Sequence, residues 1–333
     1  MANRSDSLII VPAENMTRLT RLAPSPTGAL HLGNARTFLI NWLLARQNNW
    51  RILLRIEDID GPRIKREADL ESMEDLRWLG LDWDMGPIYQ TSRAILYRDA
   101  INKLVASGEA YACVCTRQEI ETAASAPHAD DGSTIYPGTC FGRFPSPEAA
   151  RQVTGREPAL RFRVNHEPVE FLDRVVGPLK FDPPRQLGDF VVAKADGTPA
   201  YQLAVVVDDA DMGVTDIVRG DDLLDSTPRQ ILLYRALGLG DRVPEHYHVP
   251  LIVGTDGRRL AKRHGDTRLS YYRQRGVSPG RLLALLARWC GIPAVPTSLR
   301  PVDLLHSFRL EALPKQQIVF QPEDDAWLLS GKS

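Results

Sequence analysis

Apolar residues recur at three- and four-residue spacing in Phe38, Leu39, Trp42 and Leu43, immediately after a stretch that cannot be regular. The spacing predicts a helix opened by His31-Leu32-Gly33-Asn34. Before it, Thr20-Arg21-Leu22 reads as a strand end, and Pro24, Pro26 and Gly28 fix a bend. After it, Arg51–Glu57 (RILLRIE) is a short β-rich run that Asp58-Ile59-Asp60-Gly61-Pro62 ends sharply. Strand, helix and strand in this order form the unit of a parallel sheet. Two further helices are expected: Glu67–Leu79, with Leu70, Met73 and Leu76 on one face, and Ser92–Ser107, with Tyr97, Ile101, Leu104 and Val105 inward.

From Tyr111 to about Pro184 the pattern changes. This stretch holds a cysteine cluster, a polar loop (Ala123–Ser133) and short strands such as Leu160–Val164. It reads as an insertion between two halves of a nucleotide-binding sheet. Asp189–Ala195 and Pro199–Val207 are expected to form a hairpin around Asp196-Gly197, a strong turn signal. Asp216–Arg219 reads as a strand end. Thr227-Pro228 suits the N-cap and first position of a helix Arg229–Leu237, which Gly238 closes. His246–Val253 is the last expected core strand. Ser278-Pro279 then starts a helix with Leu282, Leu283, Leu286 and Trp289 inward, and Gly291 stops it. Residues 292–333 carry a weaker helical pattern.

With 333 residues, 43% apolar and 25% charged, the chain can bury a sizeable core. No apolar run approaches membrane-spanning length, and no secretory signal is visible, so the expected compartment is the cytosol. The net charge is −1, so a nucleic-acid partner is not written in bulk charge. Any basic surface must be local. Arg63, Lys65, Arg66, Arg258, Arg259, Lys262 and Arg263 are the candidates, with a solvated face as the plain alternative. Four cysteines, three of them within Cys113–Cys140, do not make a secreted disulfide framework.

Two places carry candidate chemistry. At the start of the first helix, Gly33 lets a large planar ligand approach the backbone, and free N–H groups there suit a polyphosphate. His31 and Asn34 can add donors on the same side; the plain alternative is a core histidine. In the changed segment, Cys113-Val114-Cys115 places two thiols on one side of an extended chain, and Cys140 returns after a loop. With one more ligand they would make a closed tetrahedral zinc site; otherwise they are three unrelated reduced cysteines. Chemistry favours His128 as the fourth ligand, because a tyrosine must first lose a proton of pKa about 10. Cys290, within an apolar helix, reads as core.

The stretch RLAPSPTGALHLGNAR (Arg21–Arg36) and the basic loop Arg258-Arg259-Leu260-Ala261-Lys262-Arg263-His264 together resemble the paired signatures of class I aminoacyl-tRNA synthetases. Arg21-Leu22-Ala23-Pro24-Ser25-Pro26-Thr27-Gly28 and the later Arg55-Ile56-Glu57-Asp58 narrow the resemblance to the glutamyl branch, over roughly residues 18–290. The resemblance implies an α/β fold: a Rossmann-like parallel sheet with an inserted zinc-binding subdomain and a short helical C-terminal region. The expected organisation is an N-terminal extension (1–17), the first half of the catalytic domain (18–110), the insert (111–184), the second half (185–264) and a helical region (265–333) without an anticodon-binding domain.

By the same resemblance, His31, Gly33, Asn34 and Lys262 bind ATP, and His31, Asn34 and Lys262 are catalytic. Asn34 stands where the class has a second histidine, Arg259 stands for a lysine, and Ala261 for a serine. Arg21, Ala23, Ser25, Glu57, Tyr201 and Arg219 are implied to bind glutamate: Glu57 for the ammonium, Arg21 and Arg219 for the side-chain carboxylate. Cys-x-Cys followed by Tyr136-Pro137-Gly138-Thr139-Cys140 looks like the zinc pattern of glutamyl-queuosine tRNA(Asp) synthetases and favours Tyr136 as the fourth ligand. The implied activity is ATP-dependent activation of L-glutamate and its transfer to queuosine in the anticodon of tRNA(Asp). One structural Zn2+, Mg2+ with ATP, the tRNA(Asp) anticodon stem-loop and a monomer without a membrane partner complete the expectation. The alternatives are a short glutamyl-tRNA synthetase charging the terminal ribose of tRNA(Glu) and a non-catalytic RNA-binding paralogue.

Overall fold

A computed structural model describes residues 17–59, 61–123, 135–260, 265–293 and 296–330. The first half of the sheet runs through β1 (Leu19–Leu22), α1 (Leu32–Gln47), β2 (Arg51–Ile56), α2 (Ala68–Trp78) and β3 (Met85–Tyr89). Then follow α3 (Ala94–Ala106), β4 (Ala110–Cys113), α4 (Arg117–Ala123), α5 (Pro147–Thr154), β5 (Ala159–Phe162), β6 (Val169–Asp173), β7 (Gly177–Phe181), α6 (Pro183–Gln186) and β8 (Phe190–Ala193). The chain continues through α7 (Tyr201–Met212), β9 (Asp216–Gly220), α8 (Ser226–Ala236), β10 (Glu245–Val249) and β11 (Ile252–Val253). It closes with α9 (Leu269–Gln274), α10 (Pro279–Trp289), β12 (Ile318–Val319) and α11 (Pro322–Ser330).

Seven strands form one sheet in the order β3-β2-β1-β9-β10-β6-β7. All neighbours are parallel except the hairpin β6–β7 at one edge. The order reverses between β1 and β9, so their connections leave in opposite directions and open a crevice at their carboxyl ends. β4, β5 and β8 make a separate antiparallel sheet. The β6–β7 hairpin lies within the segment read as an insertion, yet it extends the main sheet through His246↔Asp173.

Helix α1 is buried on nearly every face, because the sheet covers one side and α10 with the C-terminal segment covers the other. Its Arg36 is 1% exposed and donates from Nε to Trp289 O at 3.0 Å and from Nη1 to Pro250 O at 2.6 Å. Its Asn41 donates to the Arg21 carbonyl at 2.8 Å and accepts from Thr20 Oγ1 at 2.8 Å. These buried bonds tie β1 to the helix and set where Arg21 begins. Phe308, Leu313, Phe320 and Leu328 join the same core, so the C-terminal residues pack on the sheet domain.

Several elements depart from the sequence pattern. Pro199–Val207 is not a strand: after one bridge at Pro199 the chain becomes α7. The β-branched run Val205–Val207 favours a strand locally, but both faces are buried, and period alone cannot separate a buried helix from a buried strand. His246–Val253 is two strands, because Pro250 interrupts the ladder; β11 leaves to pair with β12. Helix α8 begins at Ser226, so Thr227 and Pro228 lie within its first turn, and Thr227 uses its hydroxyl elsewhere. Leu70 on α2 is exposed, while Met73 and Leu76 are buried as expected. β3, α5 and the β6–β7 hairpin carry patterns too short to stand out in the sequence.

Candidate active site

A cavity of about 530 Å³ sits at the carboxyl ends of β1 and β9. Its wall includes Arg21, Ala23, Ser25, His31, Gly33, Asn34, Glu57, Tyr201 and Arg219, which brings together nine residues singled out from separate stretches of sequence. Lys262, like Ala261, Arg263 and His264, lies outside the described residues. The start of that loop is described, and Arg259 reaches the same cavity, held by Asp222 at 2.8 Å. The segment after the loop is laced to the first signature: Leu32 N donates to Thr267 O at 3.0 Å and Leu269 N to Leu30 O at 2.9 Å. The first signature stretch and Arg259, at the start of the basic loop, therefore border one mouth.

The start of α1 is not an open row of amides. His31 Nδ1 accepts from the N–H groups of Gly33 at 3.1 Å and Asn34 at 3.4 Å, and Asn34 Oδ1 accepts from His31 N at 3.2 Å. This reciprocal cap takes three of the helix's unpaired donors. A ligand thus meets side-chain donors: an accepting Nδ1 puts the proton of neutral His31 on Nε2, and Asn34 keeps its amide hydrogens. Burial, with the nearby Arg259 charge adding to it, pushes His31 down to about 4. It offers a hydrogen bond at neutral pH, not a charge.

The other end of the cavity is strongly charged. Arg21 and Arg219 are each 5% exposed. Arg21 Nη1 donates to Val218 O at 3.4 Å; its Nε has no hydrogen-bond partner among the described residues and lies 3.6 Å from Asp209 Oδ1. Arg219 Nε donates to His248 Nε2 at 2.9 Å and Nη2 to Thr227 Oγ1 at 2.7 Å. Burial weakens the hold of Arg219 on its proton, and the like charge of Arg21 adds to this. An anion between the two guanidiniums relieves both effects. Glu57 Oε1 accepts from Arg55 Nη2 at 3.0 Å. Burial raises its carboxyl above the ordinary range, against the pull of Arg55 and Arg21. A cationic ligand group beside it would reverse that shift. Ser25 Oγ donates to Glu57 O at 3.3 Å and clips the opening loop to the end of β2. Tyr201, at the start of α7, lies where both Glu57 and Arg219 act on its hydroxyl.

Asp222, Thr227, His248, Asp173 and Asp209 shape this site and were not among its sequence candidates; Thr227 was expected only as a helix cap. They come from five separate elements or turns, and only the sheet order brings them together.

Away from the cavity, the sulfurs of Cys113, Cys115 and Cys140 all lie within 4.8 Å of one another. Tyr136 Oη is 3.4 Å from the Cys113 sulfur, 3.5 Å from that of Cys115, and accepts from Cys140 N at 2.9 Å. A tetrahedral zinc with bonds of about 2.3 Å needs sulfurs about 3.8 Å apart, so this donor set fits the ion. Arg161 supports the cluster: its guanidinium lies 3.9 Å over the Tyr136 ring and Nε donates to the Cys113 sulfur at 3.3 Å. His128 lies outside the described residues. Cys290 is buried core, as expected.

Residues 18–323 match the family of class I tRNA synthetases (E and Q), catalytic domain. The chain is 48% identical over 320 residues to a glutamyl-Q tRNA(Asp) synthetase of Symbiobacterium thermophilum, covering 93% of this chain and 98% of that one. It is 43% identical over 309 residues to a glutamate–tRNA ligase of Geotalea uraniireducens, covering 92% of this chain but 64% of that one. Among solved structures, a glutamate tRNA ligase of Elizabethkingia meningosepticum in complex with its amino acid matches with a TM-score of 0.77 at 27% identity, covering 94% of this chain and 68% of that one. No helix among the described residues is long and apolar enough to cross a membrane.

The His31 cap has a measurable consequence. Because its folded value is about 4 against an ordinary 6.5, the unfolded chain takes up the proton first as pH falls. The stability His31 contributes is complete above the ordinary value and is lost as pH falls toward the folded one. An NMR titration of the ring, assigned with His31→Gln, is expected to show a midpoint near 4; a midpoint near 6.5 would contradict the buried, accepting cap.

Proposed function

Because the chain belongs to the class I glutamyl- and glutaminyl-tRNA synthetases, and within them to the glutamyl-Q tRNA(Asp) synthetases, we propose that it activates L-glutamate with ATP and transfers the glutamyl group to queuosine in the anticodon of tRNA(Asp). The observation that carries this reading is the meeting of two buried guanidiniums, Arg21 and Arg219, with the Glu57 carboxylate in one cavity. That pattern complements one ligand class: a side-chain anion at one end and an ammonium at the other. The planar fork of arginine suits a carboxylate bidentately. Glutamate's side-chain carboxylate lies against Arg21 and Arg219, its ammonium against Glu57, and Tyr201 closes the pocket beside Ala23 and Ser25.

ATP would occupy the mouth, with His31, Gly33 and Asn34 beside its phosphates and Lys262 assigned to them by resemblance; Mg2+ bound to ATP would offset phosphate charge. An oxygen of glutamate's α-carboxylate attacks the α-phosphorus of ATP and pyrophosphate leaves. The protein contributes alignment and charge stabilisation. Neutral His31 donates a hydrogen bond to the phosphates without adding a second positive charge that would repel Arg259. A hydroxyl of the queuosine cyclopentene-diol then attacks the activated carbonyl, losing its proton, and AMP leaves. The enzyme works in the cytosol as a monomer on the anticodon stem-loop. Within residues 111–184, whose β6 and β7 join the main sheet, Cys113, Cys115, Tyr136 and Cys140 would hold one structural zinc that cross-links a small core.

The purified enzyme is expected to catalyse glutamate-dependent ATP–pyrophosphate exchange without tRNA, and to transfer glutamate to tRNA(Asp) that carries queuosine but not to the unmodified form. An absolute requirement for tRNA in exchange, with charging of tRNA(Glu), would overturn this in favour of a short glutamyl-tRNA synthetase.

Metal analysis is expected to find one zinc per chain, retained in His128→Ala and weakened or lost in Tyr136→Phe. Loss confined to the histidine variant would overturn the tyrosine ligand.

A further inference from the structure

Arg219 presents an unusual problem. It is buried at the end of β9, lines the cavity, and has no carboxylate within ion-pair distance among the described residues. Its Nε donates to His248 and its Nη2 to Thr227, and the neutral Tyr201 hydroxyl faces it from the cavity side. His248 and Thr227 are neutral acceptors on the side away from the ligand.

What makes His248 an acceptor is Asp173. Its Oδ2 lies 2.7 Å from His248 Nδ1, which therefore carries the ring proton and leaves Nε2 bare for Arg219. Asp173 cannot turn away. Its Oδ1 accepts from the amides of Val175 at 2.9 Å and Val176 at 2.8 Å, and the His248 amide donates to Oδ2 at 3.2 Å. Asp173 is 1% exposed and His248 0%. The ladder of β6 on β10 fixes them, since His246 pairs with Asp173.

We propose that Asp173 and His248 are positioning residues for Arg219, and that this buried relay sets the preference for glutamate over glutamine. The inference rests on reading Arg219 as the partner of the substrate's side-chain carboxylate. A carboxylate placed directly against Arg219 would occupy the edge of the fork meant for the ligand. Placed one imidazole away, it offsets part of the buried charge and leaves that edge open. The guanidinium is held at its back and still lacks an anion at its front. Glutamate supplies one. Glutamine fills the same space with a neutral amide and leaves the charge uncompensated.

Asp173→Asn separates this role from packing because it is nearly isosteric. The two amides at Oδ1 hold the new side chain's oxygen in that place, so its NH2 falls opposite His248 Nδ1. The ring proton must then move to Nε2, where it meets the Arg219 Nε–H head on. The glutamate KM in ATP–pyrophosphate exchange is expected to rise about tenfold or more, the scale of a lost charge-assisted hydrogen bond. The ATP KM should stay within about twofold, and the ratio of kcat/KM for glutamate over glutamine should fall. A merely unstable variant would lose kcat and leave KM alone. His248→Gln keeps an oxygen near the Nε2 position and is expected to retain glutamate affinity, whereas His248→Leu is not. Arg219→Ala serves as the control for the underlying reading and should raise the glutamate KM at least as far. If Arg219→Ala leaves that KM unchanged, the assignment of Arg219 itself fails. If Arg219→Ala raises it but Asp173→Asn does not, if Asp173→Asn raises glutamate and ATP KM together, or if His248→Gln behaves like His248→Leu, the relay is overturned while Arg219 stands.

Discussion

Arg55 is completely buried, and the floor of the active site is arranged around that charge. Its Nη1 lies 2.5 Å from Asp209, its Nη2 3.0 Å from Glu57, and Asp208 is close by at 3.9 Å from Nε. Moving such groups out of water costs several kcal/mol per ion, so they hold only as a closed set. Asp208 is satisfied in turn by Arg93 at 2.6 Å, Gln90 at 2.7 Å and the Tyr97 hydroxyl at 2.9 Å. Asp209 also faces Arg21. The network joins β2, α3 and α7, so Glu57 and Arg21 cannot shift without disturbing helices on the far side of the sheet. The ligand-facing groups are therefore fixed before any ligand arrives, which is the condition for electrostatic selection.

The same network explains why α7 is a helix. Asp208 and Asp209 are adjacent and both buried, but they serve different partners. On a helix of 3.6 residues per turn they diverge by about 100°, so Asp208 reaches Arg93 and Tyr97 while Asp209 reaches Arg21, with Arg55 lying near both. On a strand they would face opposite sides of the ribbon, and the run Leu203–Val207 could not fill the core between α3 and α8. The valines point locally to a strand; the burial of two neighbouring carboxylates decides otherwise.

The local grammar at the start of the chain was legible: the bend at Pro24–Gly28, the helix from Leu32 and the return strand at Arg51 all form as their residue pattern requires. The cysteine spacing was legible for a similar reason, since a Cys-x-Cys pair at the end of β4 and a tyrosine four residues before the third cysteine are short-range features. What could not be read was contact at long separation. Arg219 and His248 are 29 residues apart and His248 and Asp173 are 75, and only the strand order makes them neighbours. His31 shows a subtler limit. Its type and place were evident, but that its Nδ1 would close the helix end, leaving only Nε2 for a ligand, depends on a rotamer that no spacing encodes.

As proposed, glutamate is selected by buried charge at one end of a cavity whose other end is bordered by the start of α1 and by Arg259. On the proposed function, the activated glutamyl group leaves for a base in the anticodon and not for the acceptor end of the tRNA. These two destinations lie far apart on the nucleic acid and can be located directly. With labelled glutamate and tRNA(Asp) carrying queuosine, nuclease digestion of the product is expected to leave the label on the anticodon-loop fragment. Label recovered on the terminal adenosine would contradict the account.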